Sequence, residues 1–198
     1  MDIKPRLDQP IEQWALLKHP FYQAWSAGQL PQAALRTYAQ EYGAFIALLP
    51  RAWQTLNDPE TAQEEREHFE LWEGFARGLE TQIGEARIQG VVDLLDTARG
   101  LFAEPATALG ALYAFEAQQP ATAQSKLAGL RAFYHLPRTV EPYFEVHSSN
   151  EHEAEKLLQH MKDLSTHEQS RAVQACETMS RALWNALSGI YERDCVNN

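Results

Sequence analysis

The sequence predicts an all-α protein: a single domain over residues 1–198, folded as a bundle of about seven helices. Apolar residues recur every three to four positions through most of the chain, the period of a helix with one buried face. No extended run of Val, Ile and Thr alternates with polar residues as a strand would require. Proline, glycine and capping residues interrupt the pattern at spacings that suit helices. At 198 residues and 44% hydrophobic content the chain can bury one substantial core.

The first helix is expected from near Ile11 to Ala27-Gly28. Pro31 suits the first turn of the second, which carries Leu35, Tyr38, Tyr42, Phe45, Ile46 and Leu49 at helical spacing. Pro50 is expected to kink that helix, because Trp53 and Leu56 keep the period. Asn57-Asp58-Pro59 stops and restarts the chain, with Asp58 as N-cap and Pro59 at the first helical position of a third helix that runs to about Leu79. The fourth covers roughly Gln89 to Phe102. Pro105 opens a long fifth helix through Tyr113, Glu116 and Lys126 to about Tyr134, kinked at Pro120. Pro137 and Pro142 bracket a turn before a sixth helix holding His147 and Leu157. Ser165-Thr-His-Glu168 matches a capping box and starts the last helix, through Trp184 and Leu187. Trp14, Phe21, Trp25, Trp53, Trp72 and Trp184 are assigned to the core.

A net charge of −10 argues against nucleic acid and against an anionic membrane surface, since both need a basic face. The two cysteines, Cys176 and Cys195, lack CxxC spacing and read as reduced thiols. There is no signal-peptide pattern and no apolar run near the ~20 residues of a membrane span, so a cytoplasmic protein is expected.

Carboxylates and imidazoles recur at helical spacing on three segments. Glu65-x-x-His68 places an acid and an imidazole on one helix face, with Glu64 as the near alternative to Glu65. An acidic, solvated helix face would look the same. Glu116 stands among Leu109, Leu112, Tyr113 and Phe115, where burying an unpaired carboxylate is costly. A metal ion would offset that cost, as would pairing with Lys126. His147, Glu151 and Glu155 fall on one stripe, and His147 follows the apolar Tyr143-Phe144-x-Val146. Acids at a helix N-terminus are also common for the sake of the macrodipole. Three such faces turned inward would make a pocket of the kind that holds two iron or manganese ions. GxSxG, a Gly-rich phosphate loop and HExxH are absent. Cys176 is a weak nucleophile candidate at a mid-helix position where a small buried hydrophobe is more usual. His19, His135, His160 and His167 have no partner at ligand spacing and read as surface or packing residues.

Laid out in order, the motifs are His19-Pro-Phe-Tyr22-x-x-Trp25-x-x-Gly28-x-Leu30, Tyr38-Ala-x-x-Tyr42 and His68-x-x-Leu71-Trp72. They continue with Ala111-Leu-Tyr-x-x-Glu116-x-Gln-x-Pro120 through Lys126-x-x-Gly129-Leu130, then Tyr143-Phe-x-x-His147. In these the chain resembles the haem-oxygenase-like diiron oxidases, and within them the CADD-type para-aminobenzoate synthases, grouped with the TenA and PqqC proteins. The resemblance implies a haem-oxygenase-like bundle and a dinuclear iron or manganese cofactor, as a matched pair, a mixed pair or with one site filled. Dioxygen and a reductant would be co-substrates, supplied through an external electron donor. It makes His68, Glu116 and His147 metal ligands, with Glu116 bridging. Tyr22 would be the tyrosine whose ring is cut out to become para-aminobenzoate for folate biosynthesis, Tyr38 and Tyr143 its companions, and Lys126 the amino donor. A two-fold dimer is the default expectation for such bundles.

The chain departs from the family pattern in three places. The segment from Pro50 to His68 is short, and Glu65 stands in for the upstream carboxylate. After His147 the pattern His-x-x-x-Asp-x-x-His becomes Glu151 and Ala154; Glu155 fills in, a one-residue slip brings Glu153 into place, or the second metal site is weak. A tyrosine before the bridging Glu is replaced by Phe115. Glu116 and Lys126 are expected on one face of one helix, about 15 Å apart along an unkinked axis. That would put Lys126 near the pocket edge unless the Pro120 kink shortens the path.

Overall fold

A computed structural model describes residues 3–149 and 152–196. Among them the chain is helical with no strand. The helices are α1 (Lys4–Gln13), α2 (Pro20–Ser26), α3 (Gln32–Ile46), α4 (Leu49–Thr55), α5 (Pro59–Gly78), α6 (Gln89–Leu101), α7 (Pro105–Glu116), α8 (Gln119–Phe133), α9 (Pro142–His147), α10 (His152–Met161) and α11 (Thr166–Tyr191).

Proline sets most of the starts. Pro20, Pro59, Pro105 and Pro142 each occupy the first position of a helix, where the missing N–H costs nothing. Asp58 caps α5 by accepting from the Thr61 N–H at 3.0 Å. Ser165 and Glu168 form the expected capping box at α11. His19 caps α2: its Nδ1 accepts from the Phe21 N–H at 3.0 Å, and its Nε2 lies 3.0 Å from Ser188 Oγ. His19 is therefore a buried structural residue that sets the entry of α2, and not a surface one.

The two expected kinks are breaks. A proline ring clashes with the carbonyl four residues before it. For Pro50 that residue is Ile46, and for Pro120 it is Glu116; α3 and α7 end at those residues. The predicted second helix thus becomes α3 and α4, and the predicted fifth becomes α7 and α8. The predicted sixth also divides, into α9 and α10. The first expected helix is two short ones joined by a turn at Leu16–Lys18.

The long α11 packs along α7 and α6. Its approach to α7 depends on Gly110, where a Cβ would stand 1.8 Å from the Ala172 carbonyl oxygen. The interior holds an aromatic core: Trp25, Trp53, Trp72, Phe21, Phe45, Phe75 and Phe144 are all fully buried. Trp14 and Trp184 are only half-buried and meet edge to face at 5.9 Å. No helix of the described residues is long and apolar enough to cross a membrane.

Candidate metal centre

Four helices deliver the polar groups of the interior. α5 contributes Glu65 and His68, the last residue of α7 is Glu116, the last of α9 is His147, and the first turn of α10 gives Glu153. One potential ligand atom from each of Glu65, His68 and Glu153 lies within 4.8 Å of the others. The rings of His68 and His147 are 4.4 Å apart. Glu65, Glu116, His147 and Glu153 are each 1–2% exposed.

Several of these groups lack the hydrogen bonds that buried polar atoms normally have. Among the described residues neither oxygen of Glu65 accepts a hydrogen bond, nor does Glu116 Oε1. His68 Nδ1 stands 3.4 Å from Glu65 Oε1, an ion-pair contact whose geometry falls short of a hydrogen bond. Burial pushes the Glu116 carboxyl well above the usual carboxylate range, and the charges of Glu65 and Glu153 push it further. Burial would lower His68, but the carboxylates of Glu65, Glu153 and Glu64 prevail and raise it. Burial, then repulsion from His68 and Lys126, lowers His147 to about 3, although its bond to the Tyr143 carbonyl works the other way. His147 is thus a neutral imidazole. Its Nδ1–H donates to that carbonyl at 2.7 Å, which leaves Nε2 as the nitrogen with a free lone pair. Three buried carboxylates and two imidazoles, with unpartnered atoms on Glu65, Glu116 and His68 among the described residues, fit a divalent cation. The absence of thiolate and the mixture of N and O donors suit iron or manganese.

A second cluster adjoins the first. Tyr22 and Tyr38 share a hydrogen bond between hydroxyls at 2.9 Å. Lys126 donates to Tyr38 Oη at 3.3 Å and to Tyr22 Oη at 3.5 Å, and its Nζ lies 5.0 Å from the centre of the Tyr22 ring. No carboxylate pairs with Lys126 among the described residues, and burial lowers its ammonium to about 7. The Trp25 indole N–H donates to the Lys126 carbonyl at 3.1 Å, tying α8 to the helix that carries Tyr22. Tyr143 joins the two clusters: its ring stacks on His147 at 4.1 Å, and its hydroxyl accepts from Gln119 Nε2 at 2.9 Å.

Tyr22, Tyr38, Lys126, Tyr143, Glu65, His68, Glu116 and His147 therefore come together in one interior region. Glu155 does not: it is exposed, and Glu153 occupies the inward position. Two residues turn an α-helix by about 200°, so Glu153 and Glu155 of α10 face nearly opposite ways. Glu151 lies outside the described residues. Lys126 is not at the pocket edge either, because α7 ends at Glu116 and α8 restarts on a new path. Gln119 and Tyr42 carry no predicted role, yet Gln119 holds Tyr143, and the Tyr42 ring stacks on Tyr38 at 5.0 Å with its hydroxyl unpartnered among the described residues. The signals were the Gln beside Pro120 and the Tyr38–Tyr42 spacing of four.

A family profile described as "Iron-containing redox enzyme", of haem-oxygenase type, matches residues 16–184. The chain is 31% identical to a 4-aminobenzoate synthase of Chlamydia pneumoniae, over 92% of this chain and 92% of that protein. It is 30% identical to a 4-aminobenzoate synthase of Nitrosomonas europaea, over 98% and 93%. Among solved structures, a TenA homologue from P. horikoshii superposes with a TM-score of 0.75 at 17% identity, covering 97% of this chain and 98% of that one. A CADD-like protein of unknown function from Nostoc punctiforme superposes with a TM-score of 0.67 at 18% identity, over 97% and 94%.

Proposed function

The chain belongs to the haem-oxygenase-like family of iron-containing redox enzymes, and from that premise we propose that it is a self-sacrificing 4-aminobenzoate synthase serving folate biosynthesis. The observation that carries this reading is the Lys126 amine, 3.5 Å from the Tyr22 phenolic oxygen in a buried pocket beside the carboxylate–imidazole cluster. Held by Glu65, His68, Glu116, His147 and Glu153, iron or manganese supplies the redox chemistry with dioxygen that excising a side chain requires, with an external reductant as co-substrate.

Product and residue match atom for atom. 4-Aminobenzoate carries nitrogen para to its carboxyl carbon, and Tyr22 carries oxygen para to Cβ. With dioxygen as oxidant, release therefore breaks Cα–Cβ and oxidises Cβ to the carboxylate. The Lys126 Nζ forms the new aryl C–N bond as the phenolic oxygen leaves as water. The Nζ–Cε bond is then broken by oxidation to the imine and hydrolysis, which leaves an aldehyde at Cε of residue 126. A lowered ammonium gives Lys126 a substantial neutral fraction at neutral pH, and only the neutral amine is a nucleophile. Burial raises the Tyr22 phenol above its ordinary range, so it stays protonated and hydrogen-bonded to Tyr38. The aromatic wall of Phe21, Trp25 and Phe144 excludes water from the pocket. Because the chain loses its own side chains, it turns over once.

A thiol-dependent hydrolase is disfavoured by Cys176, which is buried against the Leu7 carbonyl and whose thiol burial pushes up to about 12. The decisive experiment is anaerobic loading with ferrous iron or manganese, addition of reductant and oxygen, and peptide mass spectrometry. Mass loss at Tyr22, a change at Lys126 and free 4-aminobenzoate are expected. If the loaded, reduced chain shows no oxygen-dependent change at either residue, the proposal is wrong; turnover of an added substrate by Tyr22→Phe would point to a diffusible substrate instead.

A further inference from the structure

A cleft of about 530 Å³ opens beside the candidate metal centre, lined from α1, the α7–α8 break and α10. Glu116 lies on its wall. That side chain is only 2% exposed, and its Oε1 takes no hydrogen bond among the described residues. Among the described residues, the charges of Glu65 and Glu153 act on it. One carboxylate thus borders both the cleft and the cluster.

The remaining charge on the lining is mostly acidic: Asp8 and Glu12 from α1 and Glu155 from α10, against Lys4. Asp8 and Glu12 share a helix face because they are four apart. Asp8 is engaged by Lys4 at 2.5 Å and by the Tyr113 hydroxyl at 3.0 Å. Glu12 and Glu155 stand exposed at the rim, and neither carboxylate forms an ion pair among the described residues.

We propose that this cleft is the entry port for the divalent cation, with Glu12 and Glu155 collecting it at the rim and Glu116 passing it inward. The inference rests on the metal-centre reading of the cluster and adds the route that fills it. A cleft lined by one sign of charge with low-dielectric walls focuses the field and speeds capture of an opposite charge by roughly 10- to 1,000-fold, less so as salt rises. An anionic ligand would meet Glu12, Glu155 and Glu116 in succession. A divalent cation meets in that order a partly hydrated capture site, a dry wall and a carboxylate with an unfilled oxygen.

A second surface route competes with this one. Glu64 and His152 approach Glu153 from outside, with His152 Nε2 3.9 Å from Glu64 Oε2 and 4.0 Å from Glu153 Oε1. Metal-free full-length chain is therefore mixed anaerobically with ferrous iron, quenched at intervals with a ferrous chelator, and assayed for protected iron. In Glu12→Gln/Glu155→Gln, uptake at low salt is expected to slow about tenfold, with the final iron content per chain unchanged. At about 0.5 M salt the variant and the parent should converge. Parental uptake rates in this variant overturn the port, as does slowing by Glu64→Gln/His152→Gln alone. A parent chain that protects no iron overturns the metal-centre reading together with the port, whereas normal-rate uptake in the rim variant removes the port only.

Discussion

Lys126 departs far from ordinary lysine behaviour. Its Nζ is buried between two phenols with no carboxylate paired to it among the described residues, and burial takes it from 10.5 to about 7. Because the neutral amine is the reactive form, the rate of Tyr22 loss should climb about tenfold per pH unit below 7 and level off above it. Single-turnover mass spectrometry across pH 5.5–9 checks this; a rate that falls as pH rises would remove Lys126 as nucleophile. Stability follows the same sign. Between about 7 and 10.5 the unfolded chain holds the proton that the folded one has lost, so folding becomes more favourable as pH rises through that window. Below it, the full cost of burying the ammonium remains. Lys126→Met should therefore be more stable than the parent at pH 6, by about 1–4 kcal/mol, and nearly equal to it at pH 10. Denaturant titrations at the two pH values measure the difference, and the same variant should release no 4-aminobenzoate.

At the scale of elements, the prolines and glycines decide where these residues go. Gly110 lets α7 lie against α11, and a methyl there would collide with the Ala172 backbone 1.8 Å away. Gly110→Ala should cost about 1–3 kcal/mol, read as a lowered denaturation midpoint with an unchanged slope. Helix starts were legible in the sequence because proline at a first turn and Asp or Ser at an N-cap act locally, as Pro59, Pro105, Asp58 and Ser165 do. The interruptions at Pro50 and Pro120 were harder to read. Apolar spacing runs on across each of them, so period alone suggests one bent helix, and only the clash with the carbonyls of Ile46 and Glu116 ends it. The site inherits that difficulty. Glu116, His147, His68 and Tyr22 could be found from apolar setting and motif, whereas the choice of Glu153 over Glu155 depends on which face α10 turns inward, and the depth of Lys126 on the new path of α8 after the break at Pro120.

At the scale of the whole molecule, a chain of net charge −10 keeps Glu65, Glu116 and Glu153 together in its interior. Without a cation this arrangement is a destabilising feature. The raised Glu116 carboxyl means that the folded chain binds a proton more readily than the unfolded one, so this group's contribution to stability weakens as pH rises from about 4.5 toward its folded value. A bound divalent ion reverses the effect by binding the folded chain alone. At a hundred times its dissociation constant it adds about 2.7 kcal/mol. For a chain of this size that is a rise in Tm of roughly 5–11 °C. Thermal melts at pH 7.5 with manganese and with a chelator should differ by that amount. Glu116→Gln separates metal binding from simple charge relief. It removes a buried negative charge and keeps the shape, so its metal-free form should melt above the metal-free parent, while manganese should raise its Tm little or not at all. A parent whose Tm ignores manganese, or a Glu116→Gln variant that responds to it fully, would show that Glu116 is buried for some purpose other than holding the ion.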